Sequence, residues 1–594
     1  MTDLDLAVIG NCQIGALLDR RARVVWGCVP RFDGDPTFCS LLNGDGEPKA
    51  GYYDVELEGF TRSEQRYLPN TAVVETLLHD ANGGVVKIVD FAPRFQRHRR
   101  FFRPTMLIRI VTPLAGRPQV RVRLRPLGAY GAVQPTLTHG SNHIRYVLPN
   151  MTLRLTTDVS ITAMLEERAF VLDHAVALVL GPDETLLDGP ASTARLFLAE
   201  TESYWQGWVR GLSIPFEWQD AVIRAAITLK LCTFEDTGAV IAGITSSIPE
   251  APHSGRNWDY RYCWLRDAYF VVHALNRLGA TATMEQYLRY MINVATESRS
   301  QELQPVYGIA GEARLPEKTV TTLAGYRGMG PVRVGNQAYE QRQNDVYGSV
   351  VLASTQYFFD RRLVTRGDRA TFERLEHLGE RAAQIYDTPD AGIWEYRGRQ
   401  RVHAFSAVMC WAACDRLARI AQHLGVVDRA GHWRAVADRM HGVIEQRIWS
   451  DQLRSFTESF GNDHVDASLL LLPHLDFVRA DDPRFASTLR AVERELRRGL
   501  HLKRYHAPDD FGAPENAFNI CTFWYIDALA LTGRREEARD IFESMLACRS
   551  SLGLLSEDID PVTHELWGNF PQTYSMVGII NSAMRLSMSW EDAL

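Results

Sequence analysis

The sequence predicts two units of different class: an antiparallel β-sandwich over residues 1–200 and an (α/α)6 barrel over 217–594, with a linker at 201–216. Three observations carry this. The hydrophobic period is near 2 up to about Glu200 and 3.6 beyond it. A chain of 594 residues exceeds what one hydrophobic core serves. The helical patterns also come in successive pairs, as inner and outer helices of a toroid would.

In the first unit, Val120-Arg121-Val122-Arg123-Leu124-Arg125 alternates strictly, which sets three apolar side chains on one sheet face and three arginines on the other. Further strands are expected at Arg23–Val29, Thr71–Leu78, Val85–Phe91, Met106–Thr112, Ile144–Leu148, Leu153–Thr157, Val176–Leu180 and Ala194–Ala199, between loops rich in Gly, Pro, Asn and Asp. No helix comparable to those of the second half is expected here.

In the second unit, amphipathic helices are expected near 217–232, 264–278, 283–297, 345–360, 370–386, 403–424, 427–448, 465–473, 484–498, 518–532, 534–548 and 574–590. Gly279, Gly425 and Gly533 follow three of them at the position where the chain turns left-handed. An α-solenoid would show a repeat of fixed period, and none is visible. Long connections at 299–344 and 501–517 favour the barrel, whose loops gather at one end and carry function.

Composition narrows the function. Hydrophobic residues at 46% and charged residues at 23% are those of a globular protein. A net charge of −7 argues against nucleic-acid or membrane-surface partners. The N-terminus has no basic region and long apolar core, and no run of about 18 apolar residues occurs, so neither a signal peptide nor a membrane span is expected. Nine scattered cysteines without a CxxC pair fit a reduced, cytoplasmic protein, and Cys410 and Cys414, one helical turn apart, read as buried. There is no HExxH, sequence-clustered His/Cys set, GxSxG or phosphate loop, so no metal or other cofactor is expected.

Three clusters can carry chemistry. Asn257-Trp258-Asp259-Tyr260-Arg261-Tyr262-Cys263-Trp264-Leu265-Arg266-Asp267 crowds aromatic and charged groups into the start of a helix. Arg and Asp can grip sugar hydroxyls while Trp and Tyr pack on a pyranose face; an ion-paired structural loop is the plain alternative. Gly392-Ile393-Trp394-Glu395-Tyr396 lies between two helices, and a carboxyl beside an indole in a desolvated pocket suits a general acid. Leu554-Leu555-Ser556-Glu557-Asp558-Ile559-Asp560-Pro561 places three acids before the turn Gly568-Asn569-Phe570-Pro571-Gln572 and the last helix, where one carboxylate can deprotonate a water or simply cap that helix. Two polar connections add Arg333, within Pro331–Asn336, and Arg504-Tyr505-His506 with Glu515.

In this order, the motifs resemble glycoside hydrolase family 15, the family of glucoamylases, glucodextranases and bacterial trehalases, over nearly the whole chain. The resemblance implies that Tyr260, Trp264, Arg266 and Asp267 hold the non-reducing glucose, that Trp394-Glu395 carries the general acid, and that Glu557 is the base. It implies that Arg504-Tyr505 borders the site, that the leading β half is the sandwich of prokaryotic members, and that hydrolysis inverts the anomeric centre. Pro331–Asn336 and Gly568–Gln572 look most like the bacterial trehalases, so α,α-trehalose is the expected small α-glucoside, with an isomaltose- or maltose-type substrate as alternative. One position departs: after the general-acid motif those relatives usually carry a lysine where this chain has Ala407, within His403-Ala404-Phe405-Ser406-Ala407-Val408-Met409. From other classes, an inverting glycoside phosphorylase and a non-catalytic sugar-binding protein compete; neither needs both carboxylates. Oligomeric state is left open, a homo-oligomer included.

Overall fold

The computed structural model describes residues 3–297 and 302–593. Two antiparallel sheets form the N-terminal unit. One runs Thr136–His139, His143–Val147, Thr152–Thr157, Val176–Pro182, Leu107–Ala115, Val85–Phe91, Val74–Asp80, Phe60–Tyr67. The other runs Ala7–Gly10, Gly15–Leu18, Val24–Cys28, Tyr52–Leu57, Gln119–Arg125, Phe170–Val171, with Pro36–Phe38 paired to Val24–Cys28. The expected alternation is present: Val120, Val122 and Leu124 enter the core between the sheets, while Arg121, Arg123 and Arg125 pair outside with Glu58, Glu56 and Glu167. Arg109 also points between the sheets, where it pairs with Asp90 at 2.7 Å and donates to Tyr53 O at 3.0 Å.

The strand expected at Ala194–Ala199 is instead part of a 21-residue helix, Pro190–Arg210, so the β half does contain a long helix. Six residues are too few to separate the two periods. Over the longer window Ala194, Thr201, Trp205 and Val209 are buried at helical spacing, and Pro190 opens the helix where its missing N–H costs nothing. Ala194 packs on the outer face of the larger sheet, with Phe91, Met106 and Ile108. Residues 201–210, expected as linker, continue this helix.

The second half closes on itself. Six inner elements, Leu265–Arg277, Asp345–Ser354, Ala404–His423, Ala467–Leu471, Asn519–Leu531 and Thr573–Leu586, each pack on the next, and the last packs on the first. Six outer helices lie against them: Gln219–Leu231, Thr281–Glu297, Arg369–Ile385, Val427–Ile448, Pro483–Leu496 and Arg535–Ala547. That is the (α/α)6 barrel. Gly279, Gly425 and Gly533 end three helices with φ of 70°, 72° and 85°.

Two expected helices differ. The element near 465–473 is only a 3-10 turn, Ala467–Leu471, opened by the Asp466 carboxylate on Ser468 N (3.0 Å) and stopped before Pro473, which has no N–H to continue it. The helix near 345–360 breaks at Thr355, whose hydroxyl donates back to Val351 O at 3.0 Å. Among the described residues no helix is long and apolar enough to cross a membrane.

Candidate active site

The inner elements begin at the same end of the barrel, and the polar motifs precede or open them. Trp264 and Arg266 stand at the start of Leu265–Arg277, Glu395 precedes Ala404–His423, Arg504 precedes Asn519–Leu531, and Glu557 precedes Thr573–Leu586. A cleft there is lined by Tyr260, Trp264, Arg266, Asp267, Trp394, Glu395, Arg504 and Glu557, eight of the ten residues expected from sequence. Arg333 and Glu515 do not line it. Arg333 donates to Gly255 O and Asn257 O, at 3.0 and 2.9 Å, and lies over the Trp258 ring, so it holds the aromatic loop from behind. Glu515 is exposed and borders a separate small cavity beside Arg504 and Asp558.

The loop Asn257–Asp267 is fastened by a charge pair with no solvent exposure, Arg261–Asp259 at 2.7 Å. Arg261 reaches out of the barrel: it donates to Gly34 O at 2.7 Å and to Tyr130 Oη at 3.4 Å, both in the β-sandwich. Asp259 also accepts from Gly335 N at 3.2 Å. The alternating loop thus sends Asp259 and Arg261 into the protein and leaves Tyr260 and Trp264 to the cleft.

Glu395 has an unusual backbone for a residue with a side chain, with φ of 58°. Three donors converge on its Oε1: Trp264 Nε1 at 2.7 Å, Arg266 at 3.0 Å and Gln343 Nε2 at 3.1 Å. The carboxyl is a quarter exposed, and the other oxygen takes none of these bonds. Arg266 is itself held by Gln343 Oε1 (2.6 Å) and lies 3.6 Å from Asp345. Trp394, beside the carboxyl, is fixed through its Nε1 to Asp466 at 2.7 Å. Burial pushes the Asp267 carboxyl up to about 7, with Arg266 opposing and Glu395 adding to the rise.

Glu557 is in a different setting. It is buried, and its Oε1 accepts from Tyr260 Oη at 2.5 Å. Gly568, at φ 74°, lies against it; a Cβ there would stand 2.7 Å from Glu557 Cβ, so the motif Gly568–Gln572 needs its glycine. Burial, then the charges of Glu250 and Asp558, push the Glu557 carboxyl well above the usual range, while the Tyr260 hydrogen bond and Arg504 pull it back. Glu250 is ion-paired to Arg504 and accepts from Trp258 Nε1 at 2.8 Å. The Glu250→Gln variant removes one like charge from this group, so Glu557 ionises more easily. The acid limb of the kcat/KM profile should then move to lower pH; a limb that stays or moves up would show that this cluster does not set it.

Glu250 and Gln343 were not singled out from sequence. Glu250 sits in the unremarkable stretch Ser246–Glu250 and becomes relevant only when the fold brings Arg504 to it. Gln343 lies in the polar stretch Gln341–Asp345, which was visible, but nothing in its spacing ties it to Glu395.

Residues 218–584 match the family model described as glycosyl hydrolases family 15. The chain belongs to this family. Family 15 membership makes it a glycoside hydrolase, and the phosphorylase and sugar-binder readings give way. Residues 4–176 match a second model, trehalase-like, N-terminal. Among curated relatives, the trehalase of Mycobacterium tuberculosis is 31% identical over 99% of this chain and 90% of its own length. The trehalase of Thermoplasma volcanium is 29% identical over 97% and 92%. A bacterial glucoamylase in complex with acarbose superposes with a TM-score of 0.68 over 98% of this chain and 94% of its own; at 13% identity this likeness concerns the fold.

Proposed function

We propose that this family 15 hydrolase is an inverting, exo-acting α,α-trehalase in which Glu395 protonates the glycosidic oxygen and Glu557 deprotonates the attacking water. One observation carries the reading: two carboxyls of unlike setting face one cleft and are linked through Tyr260 and Trp264 rather than to each other. Tyr260 donates to Glu557, its ring meets that of Trp264 at 5.3 Å, and Trp264 donates to Glu395. Two intervening side chains suit the roughly 6.5–9.5 Å that an inverting pair needs to admit water, against the ~5 Å of a retaining pair.

The roles follow from the settings. Glu395 has a partly exposed side chain and presents an oxygen free of the Trp264, Arg266 and Gln343 bonds, from which a leaving oxygen can take a proton. Glu557 is sequestered, and its raised affinity for protons makes it a strong base once ionised. Tyr260, Trp264, Trp394 and Asp267 supply ring faces and hydrogen bonds for a terminal glucose, and Arg266 acts chiefly by holding Glu395. Ala407 is buried in the first turn of Ala404–His423 and does not line the cleft, so the missing lysine leaves the proposed acid and base in place. All nine cysteines are unpaired and eight are buried, which favours a reducing, cytoplasmic setting.

Trehalose is favoured over isomaltose and maltose by the near full-length likeness to trehalases, sandwich included. The purified protein should show its highest kcat/KM on trehalose, and NMR should find one released glucose as the β anomer. Cleavage of isomaltose or maltose but not trehalose would overturn the substrate. Release of α-glucose alone would overturn inversion.

A further inference from the structure

Away from the cleft, side chains from three distant segments meet at one point. His501 lies on the strand His501–Leu502, Cys548 ends the helix Arg535–Ala547, and His564 sits in the turn between Asp558–Ile559 and Leu566–Trp567. His501 Nε2 stands 3.1 Å from His564 Nδ1, and Cys548 Sγ stands 3.5 Å from the same nitrogen. The three atoms lie within 4.8 Å of one another.

Hydrogen bonding alone accounts poorly for this arrangement. An imidazole nitrogen has one in-plane lone pair or one proton, so His564 Nδ1 serves one partner well, yet two approach it. A cation at their centre satisfies all three. Tetrahedral zinc, with bonds of about 2.0–2.1 Å to nitrogen and about 2.3 Å to sulfur, sets its ligand atoms roughly 3.3–3.6 Å apart. The two measured separations are within a few tenths of an ångström of that.

We propose that His501, Cys548 and His564 form a site for a borderline divalent cation, for which Zn2+ is the best match, with solvent completing the shell beside the exposed His564. Two imidazoles and a thiolate select this class over Mg2+ or Ca2+, which take oxygen ligands. On binding, the S–H bond of Cys548 breaks, its proton leaves to solvent, and the sulfur keeps the electron pair for the metal bond. No electron transfer is involved. None of the three lines the cleft, so the ion would be structural. It would clip together the segment leading to Arg504, the hairpin after Glu557 and the end of an outer helix. Sequence spacing offered no sign of it, because 47 and 16 positions separate the ligands.

The test uses the full chain, reduced and stripped with a chelator, then titrated with Co2+ and Zn2+. One equivalent should bind; Co2+ should produce the near-ultraviolet thiolate charge-transfer band, and Zn2+ should raise the unfolding temperature. Cys548→Ser should abolish the band, and His564→Ala should weaken Zn2+ binding by more than the ~10–100-fold typical of losing an outer partner. Turnover of glucoside by the stripped protein, below its unfolding temperature, should match that of the loaded one. Absence of stoichiometric binding, or a cobalt band unchanged in Cys548→Ser, would overturn the proposal. So would loss of turnover on stripping while the protein remains folded.

Discussion

Replacing Glu395 or Glu557 by glutamine is expected to lower kcat by about 10²–10⁴-fold for each, the usual contribution of one general acid or base, with the far-ultraviolet circular dichroism unchanged. Glutamine is nearly isosteric and its amide oxygen still accepts from Trp264 and Arg266, or from Tyr260, so the hydrogen bonds of each site have a partner. The two variants should part company on a glucoside with a good leaving group, such as a nitrophenyl glucoside. That substrate needs little proton donation, so Glu395→Gln should recover much of its rate. It still needs an activated water, so Glu557→Gln should not. Near-normal turnover of the natural substrate by either variant would sink the assignment. Recovery by the Glu557 variant alone would reverse the two roles.

The second large effect is expected far from the reacting atoms. Arg261→Ala leaves Asp259 buried and unpaired and removes the donor to Gly34 O in the sandwich. Breaking a fully buried pair by removing one partner costs about 3–5 kcal/mol, because an uncompensated charge is left behind. The loop it braces carries Tyr260, Trp264 and Arg266, so activity should fall together with the thermal unfolding midpoint. Tyr130→Phe removes only a 3.4 Å contact and should leave both nearly intact. Wild-type stability and activity in Arg261→Ala would mean that the sandwich does not hold the loop.

How much of this was legible in the sequence depends on the range of the interaction. Helices are local, and most of those in the barrel were readable to within one or two residues at each end: Val427–Ile448 was expected in full, and Ala404–His423 with one residue too many at each end. Pro190–Arg210 was misread because Ala194-Arg195-Leu196-Phe197-Leu198-Ala199 is too short a window to fix a period. Several strands of the smaller sheet, such as Tyr52–Leu57, were passed over: Tyr53, Val55 and Leu57 do alternate into the core, but the run is short and its pairing partner, Gln119–Arg125, lies far off in sequence. In the site, dense motifs such as Tyr260–Asp267 were recognisable. Glu250 was not, because its importance comes from Arg504, 254 positions away. Arg333 looked like a ligand-binding cation but spends its donors on two backbone carbonyls and on an ion pair with Glu317.

The closure of the inner ring has a consequence for the order in which the protein becomes competent during synthesis. Domains generally fold as units, N-terminal first, while the ribosome is still adding residues. The sandwich is complete early, and its face around Gly34 and Tyr130 then waits for Arg261 to emerge. Leu265–Arg277 is bare on one side until Thr573–Leu586 arrives, since that last inner helix fills the gap between the first and the fifth. Glu557 and the helix that shuts the ring come off the ribosome almost together. A nascent chain can therefore hold most of the residues proposed to grip glucose, and the proposed acid, yet it has neither a sealed core nor the proposed base until its final inner segment is released.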